Sequence, residues 1–191
     1  KFRADFIKKE IITQDQRIAF EECINNLKNA RYYPIWLPFH DGILTPDRKG
    51  ILLWRCKANL ISLRDAINSN NDVLQYPHCI WFLAFISKAF NSVSHLNIDG
   101  HLNLTIDNVL IDEQSKIPVL IRYGLQKLWI ALYGDEGKIP SLICPPEKMN
   151  IDQSSIDHPG LFDSYAFGIL MYQILTKQIL DENEQLKKET I

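Results

Sequence analysis

His101-Leu-Asn-Leu-Thr-Ile-Asp-Asn108 leads directly into two short apolar runs, Val109-Leu-Ile111 and Pro118-Val-Leu-Ile121. A polar turn, Asp112-Glu-Gln-Ser115, joins the runs, so the segment reads as a small β-hairpin. Polar residues stand at both of its mouths: His101, Asn103 and Asn108 on entry, and Arg122 on exit, followed by Tyr123 and Gly124. This fixed spacing of polar residues around a hairpin is the strongest constraint on what the chain folds into.

The elements around it are mixed. Thr13 is placed to cap a helix through Gln16, Ile18, Phe20, Ile24 and Leu27, whose spacing of three and four buries one face. Pro34-Ile-Trp-Leu-Pro-Phe39 is an extended, Pro-bounded stretch. Asp41-Gly42 and Pro46-Asp-Arg-Lys-Gly50 are turn chemistry flanking Ile43-Leu44, and Ile51-Leu-Leu-Trp54 reads as a buried strand. This is a second hairpin. Lys57-Ala-Asn-Leu60 reads as a short linker, after which Ser62 or Asn59 caps a short helix through Ile67. A long helix is predicted over 73–93, apolar on most sides and therefore interior. Residues 126–144 are predicted as a structureless loop of about twenty residues, a length that marks function in a compact domain. A last apolar helix is predicted over 162–177. The order is that of an α+β chain, with no internal repeat and no low-complexity tract.

With 46% hydrophobic residues in 191, the chain has enough apolar material for one real core. The net charge is −2 with both signs interspersed and no run of four basic residues, which argues against a nucleic-acid surface. Cys23, Cys56, Cys79 and Cys144 are far apart and form no C-x-x-C pair. Free thiols in a reducing, cytoplasmic compartment are the expectation. The most apolar stretches, 80–90 and 167–175, are too short to span a bilayer, and the charged first ten residues are no secretory signal. The histidines make no box with Cys or carboxylate at i, i+3 or i, i+4, so no metal centre is expected. Cys144 has no His/Asp signature for a thiol nucleophile. The chain lacks an initiator Met and ends in a polar tail, so it is expected to be a piece of something longer.

Four landmarks, in order and at matching spacings, resemble those of protein kinase domains. His101 to Asn108 is similar to the catalytic loop H-R-D-L-x-x-x-N, and Arg122-Tyr123-Gly124 to the metal-binding D-F-G. Cys144-Pro-Pro-Glu147 looks like the A-P-E that ends the activation segment. Asp163-Ser-Tyr-Ala-Phe-Gly168-Ile-Leu-Met-Tyr looks like the start of the central helix, D-V-Y-S-F-G. The resemblance covers nearly the whole chain but not a whole kinase. It implies an incomplete two-lobe, kinase-like α+β fold, from the third strand to the central helix of the large lobe. The chain is then one partial domain, with 1–57 the remnant of the small lobe and 58–191 part of the large lobe. The helix after Thr13 is the implied αC, whose ion-pairing residue is Glu21 or Glu22 unless Cys23 holds the slot. Lys1 is the candidate for the lysine that pairs with it. Ser62-Leu-Arg-Asp-Ala-Ile67 is similar to the helix after the lobe connection, and with the Asp163 pattern it leans toward the tyrosine-kinase-like group.

The frame is kept and the acids are lost. Asn103 stands where the catalytic Asp of the family would be, and Arg122 where its magnesium-binding Asp would be. An amide hydrogen-bonds a hydroxyl but does not take its proton at neutral pH. That general-base help is worth roughly a hundred- to ten-thousand-fold. Arg122 keeps its charge and sets positive against positive where magnesium would sit. It either touches phosphates directly in place of the metal, or pairs internally and closes the site. Asn108 is the implied nucleotide contact that survives, and Thr105 removes a phosphate-facing charge. The residue guarding the adenine pocket is Trp54 or Arg55, both bulky. His101, Tyr123, Gly124, Glu147 and Asp163 are implied to be structural: His101 and Tyr123 in the core, Asp163 accepting backbone N–H bonds from the catalytic loop. A plainer reading, in which Asn103 and Asn108 only bond their own loop backbone, stays open.

The resemblance therefore implies a pseudokinase that works through protein contacts, with the long loop and the αC face as its surfaces. No cofactor is expected, or ATP without magnesium. The implied partners are other signalling proteins, an active kinase among them, and no nucleic acid. Two other readings stay open. One is an atypical active kinase with Asp107 or Asp112 recruited as the acid; the other is a truncated fragment with no role of its own. Tyr133 and Ser141 are candidate phosphorylation positions.

Overall fold

The computed structural model describes residues 2–30, 35–56, 59–93, 100–149, 156 and 158–180. Strands β1 (Phe2–Glu10), β2 (Phe39–Leu44) and β3 (Lys49–Arg55) make an antiparallel sheet in the order β1-β3-β2. Helix α1 (Gln14–Ala30) packs on it, burying Phe20, Cys23 and Leu27 along one face. Its start is a capping box: Thr13 Oγ1 accepts from the Gln16 N–H at 3.2 Å, and Gln16 Oε1 accepts from the Thr13 N–H at 3.1 Å. Close approach of helix and sheet depends on Gly50, where a Cβ would lie 2.8 Å from the Phe20 ring.

A second antiparallel sheet, β4-β5-β6, is built from β4 (Leu60–Ser62), β5 (Val109–Asp112) and β6 (Pro118–Leu120). Both hairpins expected from the sequence form. Every residue of β5 is buried. The Asp112 carboxylate holds the β5–β6 turn, its Oδ1 accepting from Gln114 N–H at 3.0 Å. The extended stretch around Trp36 runs parallel to β6: Leu37 N–H donates to Leu120 O, and Leu120 N–H to Ile35 O, both at 2.8 Å. Ile35–Leu37 thereby straps the first sheet to the second.

Helix α2 (Leu63–Asn68) is capped by Ser62, whose Oγ accepts from the Asp65 N–H at 3.0 Å, and not by Asn59. The long helix starts later than predicted, as α3 (His78–Val93). Pro77 pushes the residue before it out of the helical region, so 72–74 make only a separate 3-10 turn. Helix α5 (Pro159–Thr176) starts earlier than predicted, because Pro159 suits a first helical position.

The predicted structureless loop is wrong. It opens with α4 (Gln126–Tyr133), followed by 3-10 turns at Gly134–Gly137 and Ser141–Ile143. Leu128 and Leu132, four apart, bury one face of α4, and Gly134, at φ 58° and ψ −126°, a conformation suited to glycine, ends it. Two turns of helix are marginal alone; α4 holds because it packs against α1.

The core is continuous from α1 to α5 and is dominated by Trp36, Trp54, Phe82, Tyr123 and Phe162. All four cysteines are free. Among the described residues no helix is long and apolar enough to cross a membrane.

Candidate functional site

The loop before β5 is held from below by α5. Asp163, on α5 and buried, accepts from the backbone N–H of His101 at 2.8 Å and of Leu102 at 2.7 Å. Gly100 makes room for this. It sits at φ 81°, and a Cβ there would lie 2.5 Å from Asp163 Oδ2. Burial pushes the Asp163 carboxyl up to about 6, against the pull of the two N–H bonds. The His101 ring is fully buried against Trp36, with centroids 5.8 Å apart. Burial pushes its imidazole down to about 4, with weaker backbone contacts at His101 and Ile121 pulling the other way.

Within the loop, Asn108 Nδ2 donates to the Asn103 carbonyl at 2.8 Å, and Thr105 N–H donates to the same oxygen at 3.0 Å. The backbone-bonding role of Asn108 is therefore real. Its Oδ1 is buried without a hydrogen-bond partner among the described residues. Asn103 lines a cleft of about 490 Å³ together with Asp5, Lys8, Arg122, Trp129 and Lys138.

Arg122 follows β6 at φ 61° and reaches across this cleft to β1. Its Nη2 donates to Asp5 Oδ1 at 3.3 Å. Of the two fates open to Arg122, internal pairing is the one observed. Tyr123 is buried between Trp36 and Trp54, at 4.3 and 5.7 Å, and its hydroxyl donates to Leu37 O at 3.2 Å. Desolvation holds that phenol well above its usual range. Gly124 sits at φ 67°, and its carbonyl accepts from Cys23 Sγ at 3.6 Å. Of the three α1 candidates, Cys23 faces the Arg-Tyr-Gly turn, while Glu21 and Glu22 are exposed. Burial pushes the Cys23 thiol up to about 12. Trp54 is the bulky residue that fills the interior beside Tyr123; Arg55 is exposed. Glu147 is exposed in the turn Pro146–Lys148, away from the cleft. Lys1 lies outside the described residues.

Neither acid weighed as a recruited base lines the cleft. Asp107 is held by Arg64, whose Nε and Nη2 donate at 2.7 and 2.8 Å, and the guanidinium keeps that carboxyl below the usual range. Asp112 is committed to the hairpin turn. Magnesium, which the kinase-like frame implies, does not fit. Asn108 Oδ1 is a suitable donor, but Arg122 and Lys8 face the cleft, and its carboxylate, Asp5, is already paired. No group of three or more His, Cys, Asp or Glu able to hold a metal occurs among the described residues.

Three residues of the site escaped sequence reasoning: Asp5, Gly100 and Trp36. Asp5 left a usable signal. Opposite residues of an antiparallel pair share a face, and Asp5 stands opposite Leu52, which is fully buried. An acid on the inward side of a strand asks for a partner.

These features together define the fold of a protein kinase domain. No protein-family model and no curated protein matches the sequence. Solved structures do. The kinase domain of maize SIRK1 (sucrose-induced receptor kinase 1), bound to AMP-PNP, matches with a TM-score of 0.73 at 20% identity, over 98% of this chain and 68% of that one. The Cydia pomonella granulovirus kinase PK-1 matches with a TM-score of 0.58 at 18% identity, over 96% of this chain and 64% of that one. The chain thus spans about two thirds of each, so the kinase-like fold is incomplete.

Proposed function

We propose that this is a pseudokinase: a kinase-like domain that does not transfer phosphate and works through contacts with other signalling proteins. The supporting observation is the Arg122–Asp5 pair at 3.3 Å. It sets a fixed cation where a metal-binding carboxylate would be needed, and it ties up the acid that faces it. Asn103, beside it, accepts no proton. Phosphoryl transfer rests on positioning and on charge neutralisation by metal, and a guanidinium in the metal's place opposes the second. In this reading residues 1–57 are the small-lobe remnant and 58–191 part of the large lobe. The partners, an active kinase among them, meet the solvent face of α1 and the segment 126–144 in the cytoplasm.

The test is phosphoryl transfer from ATP with magnesium or manganese to a generic protein substrate. Wild type is measured beside Asp107→Asn and Asn103→Asp with Arg122→Asp. No transfer by wild type is expected, and no melting shift with magnesium–ATP. Transfer by wild type that disappears in Asp107→Asn would establish the atypical active kinase instead.

A further inference from the structure

Helix α3 is apolar on the side that meets the core and apolar again on the side that meets water. Cys79, Phe82, Leu83, Ile86 and Ala89 are buried. Ile80, Trp81, Ala84 and Phe85 are exposed, and their helical spacing gathers them into one stripe on the opposite side. Trp81 is 68% exposed, Ile80 49% and Phe85 38%, and Tyr76, just ahead of the first turn, is 83% exposed. From Tyr76 to Ser87 there is no Asp, Glu, Lys or Arg, and Lys88 closes the stripe. The solvent side of α1 is the contrast within the same chain: Asp15, Arg17, Glu21 and Glu22 are exposed on it. A helix face that meets only water carries such charges, whereas a helix apolar all round is covered on both sides.

We propose that a second copy of this chain covers the stripe, the two α3 helices packing antiparallel about a two-fold axis. The area supports this occupant. Weighted by their exposures, the rings of Tyr76, Trp81 and Phe85 present roughly 400 Å² of apolar surface, a size that marks an interaction site. Doubled across the axis, that is roughly 800 Å², which with a polar rim comes near the 1,200 Å² or so at which specific interfaces begin. The stripe is also complementary to itself. An axis passing between Trp81 and Ala84 sets each Trp81 beside the second copy's Ala84, large against small, and each Phe85 beside the second copy's Ile80. The same arrangement holds the two Lys88 roughly 16 Å apart along the helices, about two Debye lengths at physiological salt. Parallel packing would set them side by side. An interface of this size, with one Trp anchor per copy, implies a dissociation constant in the micromolar range.

The test is sedimentation equilibrium of the full chain from about 1 to 200 µM, a span that brackets micromolar association. Wild type should pass from monomer toward dimer as concentration rises. Trp81→Lys, Ile80→Glu and Phe85→Lys, each first shown by circular dichroism to be folded, should each weaken self-association at least about tenfold. Ile80→Glu mixed with Phe85→Lys should recover the dimer, because one half of the two-fold contact is then native and the other sets Lys against Glu. Trp81→Lys, at the most exposed position of the stripe, carries the test if either of those variants does not fold. A wild type that stays monomeric throughout would overturn the proposal. So would self-association unchanged in Trp81→Lys, or a mixture no more dimeric than its two components. Phosphatidylcholine vesicles are the second probe. Flotation of wild type but not of Trp81→Lys, with no dimer in solution, would assign the stripe to a lipid surface instead. Phosphoryl transfer enters none of these readouts, so the pseudokinase reading stands or falls separately.

Discussion

Gly100 and His101 show how tightly single positions are specified. Gly100→Ala meets two penalties, a left-handed backbone and a Cβ 2.5 Å from the Asp163 oxygen that caps the loop. It is expected to cost roughly 2–4 kcal/mol in urea denaturation. Gly134→Ala, at φ 58° and ψ −126° with open space around it, meets backbone strain alone and should cost less, roughly 1–3 kcal/mol. Equal losses would show that the Asp163 contact is not what Gly100 serves. His101 and Asp163 also set opposing pH dependences. Burial lowers His101 from 6.5 to about 4, so its contribution is full above the ordinary value and is lost as pH falls through about 4. Burial raises Asp163 from 3.8 to about 6, so its contribution is full below 3.8 and is lost as pH rises through about 6. The two offset each other between pH 4 and 6. Replacing His101 by Leu removes one side. The stability of wild type relative to His101→Leu should fall by up to about 3 kcal/mol from pH 7 to 4. A flat difference curve would show that His101 is not held neutral.

At the scale of elements, the hairpins and the α1 cap follow from local chemistry, and the family-like motif glycine of α5 does not behave as a packing constraint. Gly168 lies in the helix interior with nothing within 4 Å of where a Cβ would go. Gly168→Ala should therefore raise stability by roughly 0.5–1 kcal/mol, read from the urea midpoint. A loss would mean that α5 is covered there by something beyond the described residues. Helix α4 was legible only in part. Leu125, Leu128 and Leu132 carry its spacing, and Gly134 marks its end. A run this short is as compatible with a loop as with a helix until α1 is placed beside it. The same limit applied at Pro77, whose effect on its neighbour was readable and moved the start of α3 to His78.

The whole molecule is tied across its cleft by Asp5 and Arg122, 117 residues apart. Asp5→Lys or Arg122→Asp alone sets like charges against each other and is expected to destabilise by roughly 1–3 kcal/mol. The double exchange restores an opposite pair. Its melting temperature should lie above the sum of the single effects, with a coupling of about 1 kcal/mol or more. Additive melting temperatures would mean that the two side chains do not meet.

The sequence by itself determined the hairpins, the helix cap at Thr13, and the spacing of His101, Asn108, Tyr123, Gly124 and Asp163, because periodicity, turn chemistry and fixed offsets are local properties of the chain. It also placed Asn and Arg at 103 and 122. Only the tertiary structure decided what Arg122 does instead. Its partner is an acid on the inward side of a distant strand, where strand register and the strap at Ile35–Leu37 bring them together. Local patterns report which face a residue occupies, whereas the strap at Ile35–Leu37 and the packing of α4 on α1, which hold the two sheets together, choose which charges meet.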